Sequence, residues 1–423
     1  IRSKEELAEE RKIELEEIPG IGKKTAENLK NAGYENIKNL TGKRILLRCD
    51  FNVPVKNGRI LDDYKIIKGL ETVEYLLKKK SKIIIVSHLE RPDAAKKDKK
   101  YSLLPVVNFL KEKINKPIKL INDISGFYVG TAVAKMKNSE IVFLENIRFE
   151  KGEKENSAVL ARHLAKLADI YVNDAFAVSH RAHASVSAIK KYLPGCAGLL
   201  LEKEILHLEK ALNSKQPLIL IIGGVKLATK IPLIKKFRKK AHRILLGGAL
   251  ANNFFAAHGY EVGHSLVDKE SVRFAKKLIK KGWDKNIILP IDLRVSNKKS
   301  FWDARNKKIN EIGKRDYILD IGYETVDFYR KYIQNAATVV WNGPVGMFEE
   351  QKFKHGTLAI ARSLAINSKK SVFSIVGGGE TIEALKMTKT INDINWVSTG
   401  GGAMLAFLSK GKMPGIKGLV SGF

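Results

Sequence analysis

The residues with the clearest chemical potential are arginines and histidines that follow short apolar runs in residues 41–200. The runs are "RILLRC", "KIIIVS", "EIVFLE" and "IYVND". Arginine can hold phosphate or carboxylate oxygens through two parallel hydrogen bonds, so several together suit a small polyanion. Any one alone is an ordinary surface ion-pair residue, but the repeated placement at strand ends favours one common site. The residues are Arg48, Asp50, Asn52, His88, Arg91, Arg148, Asp174, His180, Arg181 and His183.

A second pattern fills residues 213–408. Apolar runs there end in glycine or in Asn-Gly-Pro: "PLILIIGG", "RILLGG", "TVVWNGP", "VFSIVGGG" and "INWVSTGGG". In open α/β sheets ligands bind at the carboxyl ends of the strands, where glycine lets the backbone approach phosphate closely. The pattern predicts a nucleotide site, although the GxxxxGK[ST] phosphate loop is absent from the sequence.

These residues need parallel sheets to position them. Short β-rich runs alternate with helical stretches, which is typical of βαβ units, and the alternation restarts after a helical segment at Glu202–Leu212. We expect two Rossmann-like three-layer α/β/α domains with parallel sheets, joined by a helix. The predicted boundaries are 41–195 for the first domain, 196–212 for the connecting helix, 213–408 for the second domain and 409–423 for a segment returning to the first.

The first 40 residues are different in kind. Ser3 and Glu6 form a capping-box pattern, and "IPGIGKKTAENLKNAG" places two glycines before a helix that ends at Gly33. This resembles a helix-hairpin-helix motif, whose hairpin amides bind a nucleic-acid phosphate. Residues 1–40 hold 8 basic and 9 acidic residues, however, and phosphate binding depends on cations. A weak DNA contact and a protein-docking or purely structural role therefore both stay open.

The net charge of +31 arises from 76 Lys and Arg against 45 Asp and Glu. Residues 41–200 hold 30 basic and 17 acidic residues, and residues 201–423 hold 38 and 19. Because the excess is spread along the sequence, it favours solvated lysine faces over a dedicated nucleic-acid arm, and it is compatible with attraction of anionic substrates. No apolar run approaches the ~20 residues of a membrane span. Two cysteines, Cys49 and Cys196, form no disulfide framework and fit a reducing cytosol.

Ten ordered blocks resemble the phosphoglycerate kinase family over residues 41–423: "RCDFNVPVKNGRILDD", "SHLERP", "ENIRFE", "YVNDAFAVSHRAHAS", "LEKEI", "GGVKLATK", "LLGGALANNF", "WNGPVGMFE", "GGGET" and "STGGGAML". The resemblance implies reversible transfer of the acyl phosphate of 1,3-bisphosphoglycerate to MgADP, giving 3-phosphoglycerate and ATP. It implies Mg²⁺ bound with ADP or ATP, a cytoplasmic monomer and no membrane partner. Because the two ligands belong to different domains, hinge closure is expected to precede in-line transfer.

The resemblance also implies residue roles. The 3-phosphoglycerate site is expected at Arg48, Asp50, Phe51, Asn52, His88, Arg91, Arg148, His180, Arg181 and His183. The nucleotide site is expected at Gly223, Gly224, Lys226, Lys230, Gly247, Gly248, Gly322, Asn342, Pro344, Glu349, Gly378, Gly379, Glu380 and Thr381. The catalytic set is expected to be Lys65, Lys230, Gly378 and Gly401, with Glu380 meeting the metal through the nucleotide.

Three positions depart from the family pattern. Lys65 in "DDYKI" stands where the family has its catalytic arginine, so the charge is kept and the planar fork is lost. Glu380 replaces the usual aspartate, and Glu90 replaces a usual glycine. The sequence therefore leaves three hypotheses: an active kinase, a nucleic-acid-associated protein whose kinase fold is weakened by Lys65, and a kinase whose first 40 residues are only a structural cap.

Overall fold

The computed structural model describes residues 40–94, 96–225, 227–297 and 303–419. The chain divides into two compact units. The first contains the described residues up to Glu204 together with those from Lys412 onward, and the second is Ile205–Gly411. The predicted helix-hairpin-helix module lies outside the described residues.

The first unit is built on a six-stranded parallel sheet with strand order β5–β6–β4–β1–β7–β8. Runs of β-branched and leucine residues form its buried strands, and both faces are covered by helices or loops. The four apolar runs noted in the sequence form β1, β4, β6 and β7, while β5 and β8 were not predicted. The strands are β1 Arg44–Arg48, β4 Lys82–Val86, β5 Ile118–Ile121, β6 Ile141–Leu144, β7 Ile170–Asn173 and β8 Gly195–Ala197. A small antiparallel hairpin, β2 Val55–Lys56 and β3 Arg59–Ile60, turns at Asn57-Gly58.

Five helices of this unit connect the strands: α1 Tyr64–Lys78, α2 Leu104–Lys113, α3 Phe127–Ala134, α4 Lys151–Lys154 and α5 Ala158–Ala165. Helix α1 buries Ile66, Val73 and Leu76 in the core that also contains β1 and β4. Their spacing of seven and three residues is that of one helical face. The next helix, α6 Leu199–Leu212, contains the boundary between the two units. It starts three residues before the helical run noted at Glu202 but after the predicted bound at residue 196, because Gly195–Ala197 forms β8.

The second unit contains another six-stranded parallel sheet, ordered β11–β10–β9–β15–β16–β17. Its strands are β9 Leu218–Ile222, β10 Arg243–Leu246, β11 Ile287–Ile288, β15 Thr338–Asn342, β16 Phe373–Gly377 and β17 Trp396–Ser398. Its helices are α7 Leu227–Phe237, α8 Gly248–His258, α9 Lys269–Lys280, α10 Tyr323–Gln334, α11 His355–Ser368, α12 Gly379–Met387 and α13 Gly401–Lys410. Two α/β units with parallel sheets confirm the expected fold class at that level.

A three-stranded antiparallel sheet in the second unit was not expected. It has the order β13–β12–β14, with β12 Asp292–Ser296, β13 Arg305–Lys308 and β14 Tyr317–Ile321. The run "IILPID" was predicted to be one strand of the parallel sheet, and only Ile287–Ile288 joins it. Pro290 has no N–H to give to a ladder, so the chain leaves the first sheet there and Asp292 begins the second.

None of the described helices combines the length and the hydropathy that a bilayer span would require. Cys49 and Cys196 are free, buried thiols.

Candidate functional site

The first unit brings most of the predicted anion-binding residues to one edge of its sheet. The residues follow β6, β4, β1 and β7, which are consecutive in the strand order. Carboxyl ends of neighbouring parallel strands meet at the same edge, so the alternation in the sequence correctly placed these side chains together.

Arg48, at the end of β1, is fully buried and is held by the protein itself. Its Nε donates to Ser185 Oγ at 2.8 Å, and its guanidinium donates to the Cys49 carbonyl. The other guanidinium nitrogen lies 3.9 Å from Glu153 Oε1 and 3.4 Å from His88 Nδ1. Arg48 therefore supplies positive charge beneath the edge of the sheet, with its donors directed at protein atoms.

Asp50 lies at the centre of a charged cluster. Lys65, in the first turn of α1, donates from Nζ to Asp50 Oδ2 at 2.9 Å, and His88 Nδ1 lies 3.7 Å from Asp50 Oδ1. Burial by itself raises the pKa of Asp50, but Lys65, His88 and Arg48 together lower it to about 2. Burial lowers the pKa of His88 well below its usual value, so the imidazole is neutral near pH 7.

Arg148 follows β6 and is 5% exposed. Burial, with the neighbouring charges of Arg48 and Arg181, lowers its pKa to about 10. Three arginines that raise the positive potential on one another in this way form a strong attractor for an anion. Arg181 is half-buried, and its Nε lies 3.3 Å from Nε2 of His180. Burial and then Arg181 lower the pKa of His180.

The remaining predicted residues differ in accessibility. Arg91 is exposed, and Asn52 is half-buried with its Oδ1 accepting from Glu90 N at 2.7 Å. Phe51 is fully buried in the core, its ring 6.3 Å from that of Phe143, so its side chain offers no surface to a ligand. Its backbone N–H donates to Ser87 Oγ at 3.0 Å.

Glu90 explains one departure from the family pattern. Its φ is 53°, in the left-handed region that glycine adopts without steric cost. Its side chain is exposed. Its backbone links two predicted site residues, since its N–H donates to the Asn52 side chain and its carbonyl accepts from the Arg148 guanidinium. The backbone therefore keeps the conformation suited to glycine, and the extra carboxylate points to the surface.

Glu153 was missed by the sequence reasoning. This fully buried carboxylate in α4 accepts from Ser185 N at 2.9 Å and from Ser185 Oγ at 2.7 Å, and it lies 3.6 Å from His183 Nδ1. Burial alone raises its pKa, but His183, Arg48 and Ser185 together lower it. Glu153 therefore holds both Arg48 and His183 in place. The sequence has no motif that distinguishes it from the half-buried Glu150 and the exposed Glu155 nearby.

In the second unit, two glycine segments pack backbone against backbone. Gly223 and Gly224 donate to the carbonyls of Asn342 and Pro344 at 3.1 and 2.7 Å. A Cβ at Gly223 would overlap the Pro344 carbonyl. Close packing of the two loops therefore requires glycine at position 223, whether or not a ligand approaches the backbone there.

Lys230, in α7, lies against these loops. It is 7% exposed, and its ammonium donates to the Gly223 carbonyl. Burial lowers its pKa to about 8, partly offset by the carboxylate of Glu380. An incoming phosphate would favour the charged form, so Lys230 is suited to anion binding. Lys226 lies outside the described residues.

Two helix N-termini meet at the carboxyl ends of β16 and β17. Gly378 precedes α12 with φ of 106°, a conformation that side chains disfavour, and a Cβ at Gly401 would lie 2.7 Å from Gly378 Cα. Thr381 Oγ1 accepts from Gly343 N at 2.8 Å, and Asn342 Nδ2 donates to the Gly377 carbonyl at 2.7 Å. Gly379 and Glu380 are exposed at the start of α12. Helix N-termini present free N–H groups and a positive dipole end to an anion.

An apolar cleft lies at the end of β10, beside Gly247 and Gly248. Its lining includes the apolar residues Ala251, Leu293, Ile318 and Val345 together with Gly248, Asn252 and Asp320. Gly322 caps α10 beside the buried Asp292, and Glu349 is exposed in the loop after β15.

Two further residues that the sequence did not indicate support this cleft. Thr357 Oγ1 accepts from Val345 N at 3.1 Å and from Gly346 N at 3.2 Å. Asp320, buried next to the cleft, accepts from Gly356 N at 2.7 Å, and burial raises its pKa to about 8.

Replacing Gly223 by alanine is expected to weaken MgADP binding about tenfold, because separating the two loops costs ~1–3 kcal/mol in a close-packed site. Calorimetric titration of the full chain with MgADP measures this. Gly130→Ala is the control, because no heavy atom lies within 4 Å of the added methyl. Equal MgADP affinity in both variants would mean that the loops tolerate separation.

A family model described as phosphoglycerate kinase matches residues 35–412. The chain belongs to the phosphoglycerate kinase family. A phosphoglycerate kinase from Wigglesworthia glossinidia brevipalpis is 42% identical over 381 residues, covering 89% of this chain and 93% of that protein. One from Dictyoglomus turgidum is 42% identical over 383 residues, covering 90% and 96%. The family resemblance seen in the sequence is thereby confirmed.

Solved structures of the family are similar in fold. The phosphoglycerate kinase from Coxiella burnetii superposes with a TM-score of 0.79 at 39% identity, covering 90% of this chain and 96% of that one. The enzyme from Pyrococcus horikoshii OT3 gives a TM-score of 0.76 at 30% identity with the same coverage.

Proposed function

We infer that the chain is a phosphoglycerate kinase, catalysing reversible transfer of the acyl phosphate of 1,3-bisphosphoglycerate to ADP in glycolysis. The observation that carries this is the family match over residues 35–412. The chemistry of the two edges supports it: one offers clustered guanidinium groups for a small acid, and the other offers amides, helix N-termini and Lys230 for a nucleotide.

We propose that 3-phosphoglycerate binds at the edge of the first unit through Arg181, which is half-buried, and Arg91, which is exposed, with the buried Arg148 adding positive charge beside Arg181. Arg48, Asp50, His88 and His183 then act mainly by holding that edge in shape, because they are buried and bonded to protein atoms. Phe51 contributes through its backbone position, and Asn52 and His180 border the same surface.

We propose that the nucleotide binds along the glycine segments of the second unit. The base occupies the cleft beside Gly247 and Gly248, the ribose approaches Glu349, and the phosphates reach Lys230, Gly378, Gly379 and Thr381. Lys226 and Gly401 complete this set in the family pattern.

Mg²⁺ is expected with the nucleotide, where it neutralises phosphate charge. Among the described residues no group of three His, Cys, Asp or Glu forms a metal cage. The donor set fits a nucleotide-borne Mg²⁺, which commonly uses one carboxylate with the phosphate oxygens. Glu380 provides an exposed carboxylate at the start of α12, close enough to Lys230 to raise the pKa of that lysine.

A coupled assay with ATP, Mg²⁺ and 3-phosphoglycerate tests the function directly. The full chain and a variant beginning at residue 35 are expected to turn over at similar rates, since that variant keeps the whole family match and Leu40, which is buried in the core. Absence of turnover in the full chain at millimolar substrates contradicts the proposed function.

We further propose a cytoplasmic monomer in which residues 1–40 make a separate, weak contact with DNA or protein.

Arg181→Ala and Arg148→Ala are each expected to weaken 3-phosphoglycerate binding while leaving MgADP binding unchanged. Loss of one charge-assisted hydrogen bond costs about 1.5–3 kcal/mol, and the nucleotide residues belong to the other unit. Calorimetry with each ligand separately measures both affinities. Equal losses for the two ligands would contradict the assignment of the acid to the first unit.

A further inference from the structure

Two segments of the second unit are unusually basic. Residues 235–243 ("KKFRKKAHR") and 269–285 ("KESVRFAKKLIKKGWDK") together hold 13 Lys and Arg against 2 Asp and Glu, whereas the whole chain holds 76 against 45. Read along the sequence, the positive charge looks evenly spread, because 25 residues separate these segments. Their concentration becomes visible only in the fold.

The structure places the two segments side by side. Lys235 Nζ lies 5.5 Å from the centre of the Phe274 ring, and the Arg238 guanidinium lies 3.8 Å from the Trp283 ring. Asn286 Nδ2 donates to the carbonyls of Arg238 and Ala241 at 3.1 and 3.0 Å. These contacts join the C-terminal ends of α7 and α9 into one surface, which we call the basic face and define as residues 235–243 and 269–285.

The cations of this face are accessible. Within the described part of the chain, no ion pair involves any of its ten exposed cations. Of the two acidic residues, Glu270 lies in the first turn of α9, and Asp284 is half-buried with Oδ2 3.8 Å from Nε2 of His258. The exposed cations are Lys235, Lys239, Lys240, Lys269, Arg273, Lys276, Lys277, Lys280, Lys281 and Lys285.

The face offers charge without a free apolar or stacking surface. Helix α9 turns Ala275 and Leu278 inward, and the half-buried Trp283 is flanked by Arg238 and by Lys281 at 4.6 Å. The exposed apolar residues Leu266 and Val267 precede α9, roughly 18 Å of helix away from Lys280. Membrane insertion needs apolar side chains on the binding face, and single-stranded nucleic acid needs free aromatic faces. The outer surface of a duplex presents two rows of phosphates, which a face of lysines and arginines can contact without apolar or stacking groups.

The basic face is also separate from the nucleotide site. Helices α7 and α9 end shortly before β10 and β11, hence at the amino edge of the sheet. The nucleotide residues lie at the carboxyl edge. Helix C-termini carry a negative dipole end that stabilises neighbouring lysines in the charged form.

We propose that the basic face binds the phosphate backbone of double-stranded nucleic acid without sequence preference. Such binding depends on displaced counterions, so affinity falls linearly with salt on a logarithmic scale, with a slope of about −0.9 per phosphate neutralised.

The test is a fluorescence-anisotropy titration of a short labelled mixed-sequence duplex at several salt concentrations. The test variant is Lys239→Glu/Lys276→Glu/Lys277→Glu/Lys280→Glu. The matched control, Lys111→Glu/Lys116→Glu/Lys135→Glu/Lys137→Glu, changes the net charge equally at exposed positions of the first unit. Both variants keep residues 1–40, so any contribution of that segment cancels. Both are expected to keep wild-type kinase kcat.

The test variant is expected to bind the duplex about tenfold or more weakly than wild type at low salt and to flatten the salt slope by about three to four. The control is expected to change affinity less than about threefold. Saturating MgADP and 3-phosphoglycerate should not displace the duplex. Equal losses in both variants, displacement by the substrates, or binding of anionic vesicles in place of the duplex would each overturn the proposal.

Discussion

Lys65→Ala is expected to lower kcat about 10²–10³-fold, the scale of losing one electrostatic donor to a transition state. Lys65 lies in the first turn of α1 at the arginine-rich edge, and its side chain is 28% exposed. We expect its ammonium to face the transferring phosphoryl group. Stabilisation made only in the transition state appears in kcat, so KM for 3-phosphoglycerate should change little. Steady-state kinetics in the coupled assay measures both.

Lys65→Arg is the informative companion variant. The planar guanidinium restores two parallel donors, and we therefore expect kcat to rise above wild type with KM unchanged. The pairing with Asp50 also predicts a change in the site: without the ammonium at 2.9 Å, the pKa of Asp50 should rise from about 2.

Lys68→Ala is the matched control, since Lys68 is exposed on the same helix and its Nζ lies 5.6 Å from the Tyr64 ring. It is expected to leave kcat unchanged. If Lys65→Ala is silent while Lys68→Ala or Arg59→Ala slows the enzyme, one of those residues has taken over the role and the assignment of Lys65 is wrong.

The sequence predicted the parallel sheets well because their signal is local. Buried strands such as β1, β4 and β9 are continuous runs of Ile, Leu and Val, and each is followed by its functional residues within a few positions. The family match confirms the function read from the ordered blocks. The roles of individual site residues stay predictions.

What the sequence did not show depends on contacts between distant segments. Glu153 meets Arg48 across 105 positions, and Asp320 meets Gly356 across 36. A glutamate or aspartate has no local pattern that distinguishes a buried partner from a solvated one. The antiparallel sheet was missed for a related reason. Its strand β13 is "RNKK", a polar sequence with no local strand signal, and it is a strand because it pairs with β12.

Glu90 shows how family comparison and backbone geometry complement one another. The comparison indicated an anion beside an anion site, and the structure gives the physical meaning of the position, a left-handed backbone that joins Asn52 to Arg148. The feature maintained there is the conformation of the backbone, which glutamate adopts at a cost on the order of 1 kcal/mol.

Glu153→Ala is expected to lower the free energy of unfolding by about 3–5 kcal/mol, because removing one partner of a buried ion pair leaves the other charge uncompensated. Glu153 and Arg48 are both fully buried, and their charged atoms lie 3.9 Å apart. The variant also removes the acceptor for Ser185 and the partner of His183. Denaturant unfolding measures the loss, and KM for 3-phosphoglycerate should rise because the arginine-rich edge loses its support.

The control is Glu155→Ala, whose carboxylate is exposed and lies 3.7 Å from Lys151. A surface pair of this kind contributes about 0–1 kcal/mol. Glu153→Gln removes the charge and keeps one of the two acceptors, since its single amide oxygen can accept from either Ser185 N or Ser185 Oγ. The pKa of Glu153 is lowered in the folded protein from its usual 4.5, so the stability due to its ionised form is present above pH 4.5 and is lost as pH falls through the lowered value. The difference in stability between wild type and Glu153→Gln should therefore shrink as the pH falls below 4.5. A difference that stays constant with pH, or equal effects of Glu153→Ala and Glu155→Ala, would show that the carboxylate does not stabilise the arginine-rich edge.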